Sequence, residues 1–347
     1  FVTANRSFVK LDIGSMLEPI ISEYITARFN NFDVNPKLND VNRGVKLLKK
    51  FRPNIIIAIG GGSVIDMSKL IDILSQNSNY KDIIKNDLEL KPSKIPLIAI
   101  PTTSGTGSES TSFSVIYINN KKYSVSNKSM LPEYAVIDPR LSSTMSKKLR
   151  ASSAFDAFSQ SIESYWSINS TKASKDLSAK AIKLISNNIL QSFNNDTKAK
   201  IAMAKAANLS GQAINITKTT APHALSYRIS SKYDIQHGHA VALTLGKFFL
   251  LNTPNDRSIV IDKRGNKYLE QTMRSLFKKL NVKSAEHASQ FWYKLMKKCG
   301  LEPDIIKACS LSKNDLTGII RSVDQARLKN NPIKVSSKDI FRAIWKE

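Results

Sequence analysis

Residues 54–69 read NIIIAIGGGSVIDMSK, and this stretch decides the fold. NIIIAI is apolar and β-branched without polar alternation, the pattern of a strand buried on both faces. Gly60, Gly61, Gly62 and Ser63 follow at once, and then a helical pattern from Val64 to about Gln76. A strand that ends in small residues and opens a helix belongs to a parallel α/β layer. Main-chain N–H groups at such a helix start, with its dipole, suit a phosphate. The motif is neither GxGxxG nor a P-loop, and GGGS alone is equally a tight turn. Asp66 and Lys69 extend it to GGGSxxDxxK.

Working outward, a second strand at 95–100 runs into PTTSGTGSES (101–110), again a strand followed by a polar, glycine-bearing turn. Ligands of open α/β sheets sit at the carboxyl ends of strands. Two such turns make a pyrophosphate cradle, with a flexible linker as the plainer alternative. Around them the pattern gives helices at 17–28 and 38–51, a hairpin at 114–118 and 122–126 turning on Asn119-Asn120, and a short strand at 135–137. Phe1-Val2-Thr3 resembles the end of a strand, and with no initial Met further residues are expected upstream.

From residue 147 strand signals almost vanish. Helical spacing marks 153–166, 172–193, 197–214, 222–229, 239–251, 266–280, 285–299 and 316–328. The expected organisation is an α/β dinucleotide-binding domain over 1–142 and an all-α domain over 143–347.

The formal net charge is +24, but the lysines are dispersed and no helix-turn-helix or zinc-finger spacing occurs. A solvated basic surface is expected, with no nucleic-acid partner. No apolar run approaches the roughly 20 residues that span a bilayer, so no membrane role is expected. Cys299 and Cys309 form no CxxC, which fits a reducing cytoplasm.

Of four histidines, three fall within KTTAPHALSYRISSKYDIQHGHA (218–240): His223, His237 and His239. Asp156 and Gln160 share one face of a predicted helix with apolar flanks, although such a pair is often merely solvated. If that face is inward, Asp156 needs a partner. Asp156, Gln160, His223 and His237 would form an N/O site for a first-row divalent metal such as Fe(II) or Zn(II).

GGGSVIDMSK, PTTSGTGSES, VIDP (136–139), FDAFSQSIESYWS (155–167) and PHALSY…QHGHAVAL (222–243) together resemble the iron-containing alcohol dehydrogenases, in order and spacing, along nearly the whole chain. The resemblance implies an N-terminal α/β domain and a C-terminal helical domain, with metal and nicotinamide in the cleft between them. It assigns Gly61, Gly62 and Ser63 to pyrophosphate, Thr102, Thr103 and Thr106 to the nucleotide, and Lys122 to a ribose. Asp156, His223 and His237 match metal ligands. This chain departs at Gln160, where the family has His, and at Tyr227, where a second His linked to proton relay is usual. His239 is the substitute proton carrier. Asn30 stands near the position of an acidic residue that holds the adenine ribose, so NADP(H) is acceptable beside NAD(H).

The departures look like the branch that reduces phosphonoacetaldehyde to 2-hydroxyethylphosphonate. Lys218 and Arg228 suit an anionic aldehyde, and read equally as exposed basic residues. The expected activity is metal-dependent, NAD(P)-linked aldehyde reduction, with proton delivery through Tyr227, His239 or water. The alternatives are a general short-chain alcohol or diol dehydrogenase and a non-catalytic basic nucleotide- or nucleic-acid-binding protein. A cytoplasmic homodimer or larger homo-oligomer is the expected form.

Overall fold

A computed structural model describes residues 1–93, 95–119, 121–256, 258–323 and 328–345. The chain divides into two compact units, Phe1–Met145 and Ser146–Glu347.

The first unit is α/β. Its strands and helices are β1 (Val2–Thr3), α1 (Asn5–Lys10), α2 (Ile13–Ile21), α3 (Leu38–Phe51), β2 (Ile56–Gly60), α4 (Gly62–Ser75), α5 (Tyr80–Lys85), β3 (Leu97–Pro101), β4 (Phe113–Ile118), β5 (Lys121–Ser126) and β6 (Tyr134–Ala135). Four parallel strands pair in the order β1-β2-β3-β6, and β4 and β5 form a separate antiparallel hairpin. The register Ile59↔Ile100 and Gly60↔Pro101 sets the ends of β2 and β3 level. The two glycine-bearing turns therefore leave the same edge of the sheet. Val41, Ala58, Met67, Leu70, Ile73 and Ala99, all fully buried, form the core beneath them.

One expected element differs. A helix was expected over 17–28, but α2 stops at Ile21. The chain then runs beside β1: the Phe1 ammonium donates to the Ala27 carbonyl (2.7 Å), Phe29 N–H to Phe1 O (2.8 Å) and Thr3 N–H to Phe29 O (3.1 Å). This pairing satisfies main-chain groups that β1 would otherwise leave open on its outer side, and it outweighs the helical periodicity. Short helices at α1 and α5 lacked a sequence expectation. Asn119 takes the left-handed conformation expected of a tight turn (φ 50°), and Asn120 lies outside the described residues.

The second unit is helical: α6 (Lys147–Trp166), α7 (Lys172–Phe193), α8 (Thr197–Thr217), α9 (Ala221–Tyr233), α10 (His237–Leu251), α11 (Asn266–Lys279), α12 (Ala285–Lys298), α13 (Ile305–Cys309), α14 (Lys313–Arg321) and a last helix, Ser337–Trp345. Residues 324–327, within the helix expected over 316–328, lie outside the described residues. Helix starts are chemically marked. The side chains of Ser146, Thr171 and Asp196 accept N–H groups of the first turns of α6, α7 and α8. Helix α6 runs through the middle against α7, α8 and α10. Phe155 and Phe158 on α6 pack on Trp292 with centroids 5.0 and 5.2 Å apart, and Trp166 packs edge-on to Phe249. No described helix is long and apolar enough to cross a membrane.

Candidate active site

Helix α6 carries Asp156, Gln160 and Glu163 at i, i+4 and i+7, which places them on one face. All three are buried, at 3%, 3% and 0% exposure. Three polar side chains so enclosed must satisfy one another or a ligand. Helix α9 opens with Pro222 in its first turn and presents His223, also buried. Helix α10 begins at His237.

These helices bring Asp156, His223 and His237 together, with one ligand atom from each lying within 4.8 Å of the others. The rings of His223 and His237 meet edge-on at 5.4 Å, and Tyr227 stacks on His237 at 5.9 Å and 11°. One carboxylate and two imidazoles on three rigid helices fit a first-row divalent cation.

Glu163, which sequence reasoning passed over, completes the arrangement. Its Oε1 is hydrogen-bonded to His223 Nδ1, while its Oε2 accepts Thr220 N–H (2.7 Å) and Thr220 Oγ1 (2.8 Å). The other ring nitrogen, Nε2, lies 3.4 Å from Asp156 Oδ1. A carboxylate behind a ligating imidazole fixes its tautomer and direction. Burial pulls the His223 pKa down, but Glu163 and Asp156 outweigh it and hold it at about 9. Burial likewise pushes Asp156 up, and His223, His237 and Gln160 more than reverse it, so the carboxyl stays below its usual range. The sequence signal for Glu163 was its i+7 spacing from Asp156.

Gly238 is a second residue whose role the sequence only hinted at. A Cβ there would lie 1.9 Å from Ser152 O and 2.8 Å from Asp156 Cβ. Only glycine lets the first turn of α10 press so closely on α6, and that approach sets His237 beside Asp156.

The turn entering α9 is strained. Lys218 has φ 60° and ψ 179°, a region rarely used by residues with a side chain. Asn330 holds it: Nδ2 donates to Thr217 O (2.8 Å) and Thr219 O (2.9 Å), while Oδ1 accepts Ser167 Oγ and Asn169 Nδ2. Thr220, which follows, also accepts Trp166 Nε1 (3.0 Å).

The remaining candidates of this unit are placed as follows. Gln160 donates through Nε2 to Asp156 Oδ1 (3.1 Å), and its Oε1 accepts Ser210 Oγ (2.9 Å). His239 is buried with Nε2 on the Glu302 carbonyl (2.8 Å), and burial lowers its pKa. Lys218 is exposed. Arg228 is exposed and lines a surface crevice with Lys232, Asn314 and Asp315.

In the α/β unit the two turns stand side by side. Thr102 N–H donates to Gly60 O (2.9 Å). A Cβ at Gly62 would meet Thr106 Oγ1 at 2.6 Å, and one at Gly61 would meet Thr103 Cγ2 at 3.3 Å. Asn30 follows Phe29, paired in parallel beside β1, so it too leaves the carboxyl edge of the sheet. Ser63 Oγ accepts Asn35 N–H (3.2 Å). Lys69, 1% exposed, donates to Ser108 O (2.5 Å), Thr111 O (2.6 Å), Thr111 Oγ1 (3.0 Å) and Phe113 O (3.3 Å). Asp66 accepts Ser108 Oγ (2.5 Å) and Val115 N–H (3.1 Å). Burial raises its pKa against the pull of Lys69, the bonds from Ser108 and Val115, and Lys122. The Asp66–Lys69 pair thus anchors the second turn to the first helix turns of α4.

Comparison with known proteins identifies the family. The family model described as iron-containing alcohol dehydrogenase matches residues 1–139, and that described as Fe-containing alcohol dehydrogenase family, C-terminal, matches 150–347. Aldehyde-alcohol dehydrogenase 2 of Entamoeba histolytica is 28% identical over 285 residues, 77% of this chain and 33% of that protein. The chain spans a third or less of the length of the aldehyde-alcohol dehydrogenases it matches. Phosphonoacetaldehyde reductase of Streptomyces viridochromogenes is 27% identical over 308 residues, covering 86% of this chain and 77% of that one. Among solved structures, sulfoacetaldehyde reductase of Bifidobacterium kashiwanohense in complex with NAD+ superposes with a TM-score of 0.88 at 24% identity, over 99% of this chain and 89% of that one.

Proposed function

The chain belongs to the iron-containing alcohol dehydrogenase family, and on that premise we propose that it is a metal-dependent, NAD(P)(H)-linked reductase of small aldehydes. The observation that carries this reading is the gathering of Asp156, His223 and His237 within 4.8 Å. When bound, the cation supplies a Lewis acid for a carbonyl oxygen and the reduced nicotinamide supplies a hydride.

The chain's own residues do the rest. Main-chain N–H groups at Gly61, Gly62 and Ser63, with the hydroxyls of Thr102, Thr103 and Thr106, take the pyrophosphate. Lys122 takes a ribose hydroxyl. Asn30 carries no charge to repel a 2′-phosphate, so both NADH and NADPH are accepted. Glu163 holds His223 Nδ1 and so aims Nε2 toward Asp156. Tyr227, stacked on His237, is the proton donor of choice, because His239 Nε2 is engaged by the Glu302 carbonyl. The two cysteines are free and buried, in keeping with a cytoplasmic enzyme.

For the substrate we favour phosphonoacetaldehyde, with Lys218 and Arg228 attracting its phosphonate. The supporting relative is the phosphonoacetaldehyde reductase, similar over 86% of this chain. The second reading, a general short-chain alcohol dehydrogenase, is favoured by the exposure of both cations and the presence of Asp315 beside Arg228.

The test is NADH and NADPH oxidation by the metal-loaded protein with phosphonoacetaldehyde and uncharged aldehydes of similar size. A higher kcat/KM for phosphonoacetaldehyde is expected. Preference for the uncharged aldehydes would remove the phosphonate assignment. Normal turnover by a folded His237→Ala variant would remove the metal assignment.

A further inference from the structure

Gln160 lies one helical turn from Asp156 on α6, beside the candidate ligands, and its surroundings define what it does. Its carboxamide is 3% exposed and bridges two helices. The Nε2 end donates to Asp156 Oδ1 at 3.1 Å, and the Oε1 end accepts the hydroxyl of Ser210 on α8 at 2.9 Å. Ser210 is itself fully buried, with Oγ also 2.8 Å from Ala207 O.

We propose that Gln160 is a positioning residue rather than a metal ligand: it braces Asp156 against Ser210, and the cation is held by Asp156, His223 and His237 alone. The proposal rests on the reading of this pocket as a metal centre.

Two arguments support it. A carboxamide has one donating and one accepting end. Asp156 is an acceptor on the side Gln160 meets, so the donor end must face it. Turning the amide over would set Oε1 against Oδ1 with no proton between them. In the observed orientation the one atom of Gln160 that could ligate accepts the Ser210 hydroxyl on α8. Secondly, catalytic zinc-type sites keep three protein ligands and leave the remaining position to water or substrate. With Gln160 withdrawn, this chain meets that number with one carboxylate and two imidazoles.

The test uses the full chain loaded with Co2+, whose visible absorption reports the ligand set, and chelator competition, which reports affinity. Outer contacts of this kind are worth about 10- to 100-fold in metal affinity. Gln160→Ala is therefore expected to weaken Co2+ binding by about that factor, with the band positions of the parent unchanged. Gln160→Met, close in size, serves if the alanine variant does not fold, with the same expectation. Ser210→Ala should weaken binding in the same direction with unchanged bands. Gln160→His should shift the bands and tighten binding. A band shift in Gln160→Ala or Gln160→Met like that of His237→Ala makes Gln160 a ligand and overturns the proposal. Equal Co2+ affinity of the parent and His237→Ala would instead overturn the metal reading beneath it.

Discussion

Gly238 lies so close to Ser152 that a single added carbon would sit 1.9 Å from the Ser152 carbonyl oxygen. That contact is what joins His237 to Asp156. Gly238→Ala must push α10 off α6, at about 1–3 kcal/mol for an overpacked site. The expected result is a lower unfolding midpoint and loss of metal stoichiometry. Gly318→Ala, in α14 with nothing within 4 Å of the added carbon, should raise stability by up to about 1 kcal/mol. Retained metal in Gly238→Ala would detach the glycine from the site.

Glu163→Gln tests the carboxylate behind His223. The neutral amide cannot accept from Nδ1, Thr220 N–H and Thr220 Oγ1 at once, as Glu163 does. Metal affinity should fall by about 10- to 100-fold, read by chelator competition. An unchanged dissociation constant in a folded variant would assign Glu163 to the fold alone.

Lys69→Met separates the two units. It strips the cation from Ser108 O, Thr111 O and Phe113 O and removes the pull of Lys69 on the buried Asp66. Because Lys69 anchors the threonine turn, NADH binding followed by fluorescence should weaken at least tenfold, roughly 1.4 kcal/mol. Metal content should not change. Equal loss of both would contradict the division of labour.

Asp72 gives a pH signature. Burial, with Glu133 adding to it and Ser93 opposing it, raises its pKa to about 6, against about 4 when unfolded. The folded form therefore keeps its proton where the unfolded form has lost it. Stability from this group is present below about pH 4 and is lost as pH rises through about 6. Asp72→Asn should match the parent in urea melts at pH 4 and exceed it by about 1–3 kcal/mol at pH 7.5. A variant less stable than the parent at both pH values would refute the assignment.

The sequence carried its information unevenly. Helices α3 and α7 lie where apolar periodicity set them, and β2 and β3 end at the glycine-bearing turns. Both are local signals, read within one window. The span 22–28 misled because its partner, β1, is brought to it only by folding. In the site, His223 and His237 stood out by scarcity. Glu163 did not, since an acidic residue on a helix is ordinarily solvated and only the packing of α9 encloses it. The role of Gly238 depends on how closely two helices approach, and Ser210 acts only because α8 abuts α6. Such pairings have no signature at either position alone.

The strained corner at Lys218 has a consequence for biosynthesis. The residue that clasps it, Asn330, lies 111 residues beyond Thr219. At about 5–20 residues per second of translation, Asp156, Glu163, Thr220, His223 and His237 all emerge before that clasp exists. For several seconds the nascent chain has every candidate metal ligand but not the clasp on the corner that leads into α9. A chain stalled before residue 330 therefore carries the candidate ligands without the Asn330 hydrogen bonds to Thr217 O and Thr219 O.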